Sequence, residues 1–261
     1  MTAGYITQRA FDSTGVVGNG APIITAAEAA LYDRADRLAW IEPGFATLDA
    51  SSRVTELLAF TKGPAGVEQK FTPGSQAPKV LTTTDARVGI TYSGSSVDTL
   101  VGNSNLVLPA PPWTICIVAQ QPLSAAGVML ATTPASLPAA SPVVVDFNST
   151  RQIALYTNYA ATTRLRTTTN VTDASPHLYT FTHDGTTATI YRDGTSLLSG
   201  ALAANVSGVL RVMSQLDAAG AVFNGWDGYI EMLVVASGVD TAFHEAVKAV
   251  VRERHVGWTI A

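Results

Sequence analysis

The hydrophobic and polar positions of residues 177–183 alternate one by one along the chain. Ring side chains such as Tyr179 and Phe181 take every second position, and leucine or threonine fills the positions between them. A period of two is typical of a β-strand with two different faces. Asp-Gly pairs follow at 184–185 and 193–194, and glycine accepts the positive φ of tight turns. The stretch therefore predicts an antiparallel hairpin with a second turn at its end.

Two further runs are apolar on both faces. Residues 113–120 and 222–235 contain few charged side chains, and three prolines at 109, 111 and 112 precede the first of them. Strands of this composition belong in the middle of a sheet, where both faces are covered. Shorter strands are predicted at 54–60, 126–132, 143–148, 152–157, 163–168 and 208–213.

Helical patterns occur near both ends of the chain. Thr25 followed by Glu28 forms a capping box, and the residues that follow predict a helix over Ala26–Ala39. At about fifteen residues, this helix is marginal alone and must dock on the sandwich or on a neighbouring subunit. A second helix is predicted over Asp240–His255, with Asp240 as its cap and Gly257 as its stop.

The order of these elements resembles that of a known fold family. The segment Ala-Thr-Leu-Asp-Ala-Ser-Ser at 46–52, the apolar strand at 113–120, the Asp-Gly hairpin and the Gly225–Glu231 entry to the last strand resemble concanavalin A-like, or laminin-G-like, jelly-roll domains of phage and bacterial surface proteins. The resemblance covers residues 45–261. It implies an all-β fold: an antiparallel β-sandwich with an N-terminal arm and helix and a short C-terminal helix.

The domain organisation follows from this change of pattern near residue 43. Residues 1–24 are irregular and rich in glycine, and residues 1–43 as a whole are predicted to be an arm and helix that anchor the protein or assemble it into oligomers. Residues 44–261 are predicted to be the sandwich.

Composition and charge limit the classes of partner. Charged residues make up 14% of the 261 residues, below the roughly 25% of an ordinary soluble domain. We expect either that another copy or a large assembly covers much of the surface, or that a surface rich in Thr, Ser and Ala needs few charges. The net charge of −4 argues against nucleic acid, and no apolar run reaches the roughly twenty residues of a membrane span. The N-terminus lacks the pattern of a signal peptide.

The sequence offers weak candidates for catalysis. Asp227 and Glu231 lie four residues apart, the kind of spacing at which the glucanases of this fold place two carboxylates on one face. Because Gly228 can bend the strand, we expect Glu231 to face solvent or to meet an arginine instead. His183 is expected at the surface at a strand end. We therefore predict no catalytic residues and no enzymatic activity.

No cofactor is expected, although a calcium ion stays open as an alternative. Its ligands would be the loop acids Asp184, Asp193, Asp217 and Asp227, whose spacing specifies no site. Tyr92–Gly94 also stands where the resembled family often has an acidic residue. The one cysteine, Cys116, lies in an apolar run and is predicted to be a small buried filler rather than a metal ligand.

Glycan binding is the function that the resemblance implies. Exposed aromatic rings can stack on the face of a sugar while amides, carboxylates or guanidinium groups bind its hydroxyls. The candidate ligand-binding residues are Tyr156, Tyr159, Arg164, Arg166, Asn224, Trp226 and Asp227. The alternative is that Trp226 and Tyr229 pack against the closing helix.

Together these patterns predict a non-enzymatic phage virion protein: a head decoration, head fibre or tail fibre subunit. It would be made in the host cytoplasm, join other virion proteins and copies of itself through residues 1–43, and display a sandwich able to bind host surface glycans. The alternative is a carbohydrate-binding module of a bacterial cell-surface or exported protein. Burial of the first helix against another chain would favour the virion role, and burial against its own sheet would favour the module.

Overall fold

The structure, a computed structural model, describes residues 25–59, 69–74, 76–82, 88–91, 99–120, 126–136, 139–159, 163–171, 175–223, 225–255 and 260. Its helices are α1 (Ala26–Tyr32) and α2 (Thr241–Arg254). The strands of the N-terminal half are β1 (Arg37–Ile41), β2 (Ala46–Leu48), β3 (Val54–Leu58), β4 (Lys70–Pro73), β5 (Lys79–Thr82), β6 (Val88–Thr91), β7 (Leu100–Gly102), β8 (Val107–Leu108), β9 (Trp113–Gln120) and β10 (Gly127–Thr133). Those of the C-terminal half are β11 (Val144–Phe147), β12 (Ile153–Asn158), β13 (Thr163–Arg166), β14 (Pro176–His183), β15 (Thr187–Arg192), β16 (Thr195–Ala201), β17 (Gly208–Val212), β18 (Gln215–Leu216), β19 (Val222–Phe223) and β20 (Tyr229–Ser237).

The strands form two antiparallel sheets and a small hairpin. Sheet A has the order β16-β15-β14-β9-β20-β6-β5, with β1 also paired to β20. Sheet B has the order β13-β12-β11-β10-β17-β7-β4-β3-β2, with β8 paired to β17. Strands β18 and β19 pair only with each other in the described part of the chain. The predicted all-β antiparallel sandwich is thus confirmed.

The main core lies between the two sheets. Tyr179 and Phe181 of β14 point into it from sheet A, and Phe147 and Leu155 point into it from sheet B. Leu178, the neighbour of Tyr179, lies in a second apolar cluster on the opposite face of sheet A. The predicted alternation is therefore confirmed, and β9 lies at the centre of its sheet as expected for a strand that is apolar on both faces.

Both helices cover the outer face of sheet A. Phe243, Val247 and Val251 of α2 pack with Leu31 of α1 and with outward side chains of the sheet such as Val118. Asp240 caps α2 by accepting a hydrogen bond from the Ala242 amide at 2.8 Å. The C-terminal helix and its cap are as predicted, and its apolar stripe supplies the cover that the sheet face requires.

The first helix is shorter than predicted. The capping box at Thr25 and Glu28 is present, with amide-to-side-chain distances of 3.1 and 2.9 Å. The helix ends at Tyr32, however, and Arg37–Ile41 forms strand β1 beside β20. The prediction of one helix to Ala39 is wrong because edge pairing with β20 and burial against the sheet outweigh a modest helix propensity.

The same elements change the expected domain organisation. Helix α1 packs against α2, and β1 is hydrogen-bonded into sheet A, so residues 25–41 are part of the sandwich. A division at residue 43 would therefore cut through one sheet. The predicted arm, residues 1–24, lies outside the described residues.

Candidate functional site

A polar and aromatic cluster lies on the outer face of sheet B. Tyr156 of β12 is the register partner of Arg164 on β13 and of Val144 on β11. Leu155, which precedes Tyr156, points into the main core, so Tyr156 and Arg164 point the other way. Four predicted ligand residues, Tyr156, Tyr159, Arg164 and Arg166, meet on this face. We call them, together with Asp146 and Phe223, the sheet B cluster.

The two tyrosines of the cluster lie ring to ring. Their centroids are 5.0 Å apart, and the Tyr159 ring lies 6.0 Å from that of Phe223 on the β18–β19 hairpin. Tyr156 is 5% exposed, whereas Tyr159 is only half-buried. Burial raises the pKa of the Tyr159 hydroxyl, so the group stays protonated and can donate a hydrogen bond at neutral pH.

The two arginines play different parts. The Arg166 guanidinium donates to the Tyr156 hydroxyl at 2.6 Å and to the Asp146 carboxylate at 3.0 Å. These contacts fix its orientation. Arg164 is exposed, and its guanidinium carbon lies 5.7 Å from the Tyr156 ring centre. Among the described residues, no acidic side chain forms an ion pair with Arg164.

Asp146 is a cluster residue that the sequence analysis missed. It reaches Arg166 across β12, because the side chain between them in the register is the small Ala154. Burial raises its pKa to about 6, against the opposing effect of the two arginines. A single acid inside the apolar run 143–147 was the signal, since such a charge is retained only where a partner satisfies it.

The remaining predicted ligand residues lie elsewhere. Trp226 is 0% exposed, and its ring lies 5.7 Å from Phe147 in the core between the sheets. It therefore cannot stack on a sugar, and it packs in the main core rather than against α2. Asp227 is exposed, with a pKa raised by partial burial, and it makes no recorded contact with the sheet B cluster. Asn224 lies outside the described residues.

The candidate acid pair is not arranged as in a glycosidase strand. Asp227 precedes β20, and a bulge between Ile230 and Met232 interrupts the strand at Glu231. Glu231 is buried, and its carboxylate lies 3.5 Å from the His255 imidazole at the end of α2. The expectation that Glu231 faces solvent is therefore wrong, because α2 closes over this face of the sheet.

His183 also differs from its predicted surface position. It is fully buried, its Nδ1 accepts from the Gly185 amide at 2.9 Å, and its ring lies 5.5 Å from that of Trp113. The turn that follows β14 folds the imidazole inward, where it satisfies backbone groups. Cys116 is buried as predicted, and burial raises its pKa to about 12, so its thiol stays neutral.

Three of the four loop acids considered for calcium, Asp184, Asp193 and Asp217, already accept hydrogen bonds from backbone amides. Asp184 accepts from the Thr186 and Thr187 amides, and Asp217 accepts from the Ala219 and Ala221 amides, each at 2.8 Å. Asp193 binds the Leu178 amide at 2.9 Å. Within the described ranges, no three His, Cys, Asp or Glu side chains gather as a metal site. Nor does any described helix have the length and apolar character to cross a membrane.

Comparison with known proteins places the chain by fold. No protein-family model and no curated protein sequence matches it. A sialidase from Trypanosoma rangeli, solved in complex with sialic acid, aligns with a TM-score of 0.52 and 10% identity over 90% of this chain and 36% of the sialidase. The binding domain of botulinum neurotoxin DC, solved in complex with SialylT, aligns with a TM-score of 0.54 and 9% identity over 87% of this chain and 53% of that domain.

The fold that these structures share with the chain is an antiparallel β-sandwich. At these identities the likeness concerns the backbone alone. The chain spans about a third of the sialidase and about half of the toxin domain.

Proposed function

We propose that the protein is a non-enzymatic, glycan-binding β-sandwich, and that the sheet B cluster is its binding site. The observation that carries the proposal is the meeting of Tyr156, Tyr159, Arg164 and Arg166 on the face of the sandwich that the helices leave uncovered. In the sequence these residues lie in two strands and a turn. The pairing of β12 with β13 places them side by side.

The chemistry of the cluster fits a sugar. The half-buried Tyr159 ring offers an apolar surface to the C–H face of a pyranose, and its hydroxyl offers a hydrogen-bond donor. Arg164 adds donors for ring substituents at the exposed edge. Because Asp146 and Tyr156 already hold Arg166, little side-chain entropy remains to be lost there on binding.

The solved structures that share the fold add support by analogy. The sialidase and the toxin binding domain were both solved with sugar ligands, as sialic acid and SialylT. The proposal of a non-catalytic role rests on residues of this chain. Asp227 and Glu231 do not form a facing pair on a regular strand, and the Glu231 carboxylate contacts the His255 imidazole.

Tyr159→Ala is expected to weaken glycan binding at least about tenfold, equivalent to about 1.4 kcal/mol, because it removes the half-buried ring that the cluster offers to a sugar. Isothermal titration against the best ligand from a glycan array measures the effect. The unfolding midpoint should change little, since Tyr159 is only half-buried. The matched control is Tyr191→Ala, which removes a half-buried tyrosine from the outer face of sheet A. Equal loss in both variants, or none in Tyr159→Ala, would place the binding site elsewhere.

We further propose that this module is displayed on a phage particle, held through residues 1–24 to virion proteins or to copies of itself. The low charge of 14% supports a surface that is partly covered in an assembly. Burial of α1 against α2 of the same chain favours the alternative, a self-contained carbohydrate-binding module of a bacterial surface or exported protein.

The assembly role is tested by comparing the full chain with residues 25–261. Light scattering should find the full chain oligomeric and the shortened chain monomeric. Both should share one unfolding midpoint, because α1 and β1 remain present in the shortened chain. A monomeric full chain would leave the self-contained module as the better proposal.

A further inference from the structure

We infer that the preferred ligand is a saccharide that ends in one carboxylated sugar, and that the exposed guanidinium of Arg164 binds its carboxylate. This inference rests on the proposed glycan site and adds the chemical class of the ligand. It follows from the balance of charge in the sheet B cluster.

The cluster carries one cation more than its acids neutralise. Arg164 and Arg166 are the cations, and Asp146 is the acid within 3.0 Å of Arg166. The Arg166 guanidinium is bound by the Asp146 carboxylate and the Tyr156 hydroxyl, and its side chain is only 16% exposed. Arg164 is exposed, and among the described residues no carboxylate lies within ion-pair distance of its guanidinium; Asp146, already paired with Arg166, acts on it only at longer range. A local surplus of one positive charge therefore stands on a protein whose net charge is −4.

The position of Arg164 suits a carboxylate bound beside a sugar ring. Its guanidinium lies 5.7 Å from the centre of the Tyr156 ring, which restricts the planar group, and a guanidinium binds a carboxylate through two parallel hydrogen bonds. Tyr159, which packs on Tyr156 at 5.0 Å, offers its ring to the remainder of the same sugar or to the next one. One ligand can thus use both residues.

The single surplus charge also limits the number of acidic units. A polyanionic saccharide gains affinity from many cations that act together, and the acidic net charge of this chain opposes it. One acidic sugar at the end of a neutral oligosaccharide matches one available guanidinium. We therefore expect a singly charged glycan to be favoured over a polyanion.

Asp146 sets the strength of this preference. It interacts with Arg166 and Arg164 of β13 and with the Tyr159 hydroxyl, and its register partner on β10 is the apolar Val128. Asp146→Asn removes the one negative charge and keeps an oxygen that can accept from Arg166. We expect affinity for the acidic saccharide to rise about fivefold in this variant. The reason is that the sugar carboxylate no longer meets the repulsion of a nearby negative charge at this partly exposed site.

Wild-type protein should show the same effect on acidification. Burial raises the pKa of Asp146 to about 6, so the carboxylate is neutral at pH 5 and charged at pH 7.5. A sugar carboxylate remains ionised over this range, since ordinary carboxyl groups titrate near pH 4. Affinity should therefore increase as the pH falls through 6, and Asp146→Asn should lose this dependence.

The test uses the full chain and paired probes: neutral oligosaccharides, the same oligosaccharides capped with one glucuronic, galacturonic or sialic acid, and the methyl esters of the capped forms. We expect one capped probe to bind about tenfold more tightly than its neutral parent and its ester, a difference of about 1.4 kcal/mol. Arg164→Gln should abolish this preference, so that the capped form, its neutral parent and its ester bind with similar affinity. Arg252→Gln, which alters an exposed arginine on α2, is the matched control.

The outcomes separate this inference from the function on which it rests. If the capped, neutral and esterified probes bind equally well and Tyr159→Ala weakens the binding of all three, the acidic preference is overturned and the proposed glycan site stands. A preference that survives Arg164→Gln would overturn the role of that residue. Failure of every saccharide to bind would overturn both proposals.

Discussion

Trp226→Ala should destabilise the fold by about 3–5 kcal/mol, the usual cost of removing a buried aromatic side chain. The ring is fully buried between the sheets and lies against Phe147, and the backbone amide of Trp226 donates to Met213 at 2.9 Å. Domains of this kind are stable by only about 5–15 kcal/mol, so the variant should lose a large part of its stability. Chemical denaturation followed by circular dichroism measures the change.

Trp226→Phe is the matched control, because it keeps an aromatic ring in the same space. The indole N–H of Trp226 is buried and finds no hydrogen-bond partner in the part of the chain that the structure describes, so phenylalanine also removes a donor left unsatisfied there. We expect this variant to lose less stability than Trp226→Ala. Normal stability in Trp226→Ala combined with lost glycan binding would show instead that the ring is part of a binding surface.

Arg254→Ala is the second large effect, with an expected loss of about 2–4 kcal/mol because it breaks a partly buried ion-pair network and leaves the buried Glu28 carboxylate without its arginine. Arg254 near the end of α2 binds Glu28 of α1 and, at 2.5 Å, Glu42 just after β1. Its guanidinium also lies 5.8 Å from the Trp40 ring. Glu28 is only 4% exposed, so the variant leaves a carboxylate with little access to water.

Hydrogen exchange identifies where the stability is lost. Amides of residues 25–41 should exchange faster in Arg254→Ala, since the network joins α1 and β1 to α2. Arg252→Ala, two residues earlier on the exposed side of the same helix, should leave both exchange and stability close to wild type. Unchanged protection in Arg254→Ala would mean that apolar packing alone holds α1.

These two variants bear on function as well as on stability. If α1 and β1 unfold together with the sandwich, residues 25–41 are not a detachable anchor, and any attachment to a particle falls to residues 1–24. The proposed glycan site lies on sheet B and the helix layer lies on sheet A. Variants on one face should therefore leave the other face unaffected.

The sequence by itself determined those parts of the fold in which neighbouring residues interact. The strand β14, its two Asp-Gly turns and the strands β15 and β16 follow from alternation and turn chemistry within 26 residues, Pro176–Ala201. The hairpin of β12 and β13 has the same local origin, and it brings together four of the seven predicted ligand residues, Tyr156, Tyr159, Arg164 and Arg166. The caps of both helices could also be predicted from the sequence, since each cap involves residues at most three positions apart.

Only the tertiary structure decided the features that depend on distant partners. Residues 37–41 form a strand because the edge of β20 is there to pair with them, and β20 lies at the other end of the chain. Trp226 is buried because Phe147 from sheet B meets it, and Asp146 joins the cluster because the small Ala154 lets it reach Arg166. Local patterns fix backbone propensity and the side to which each residue points. Burial and charge pairing depend on which side chains of the opposite sheet or of the neighbouring strand lie nearby. The packing of the whole sandwich determines which side chains those are.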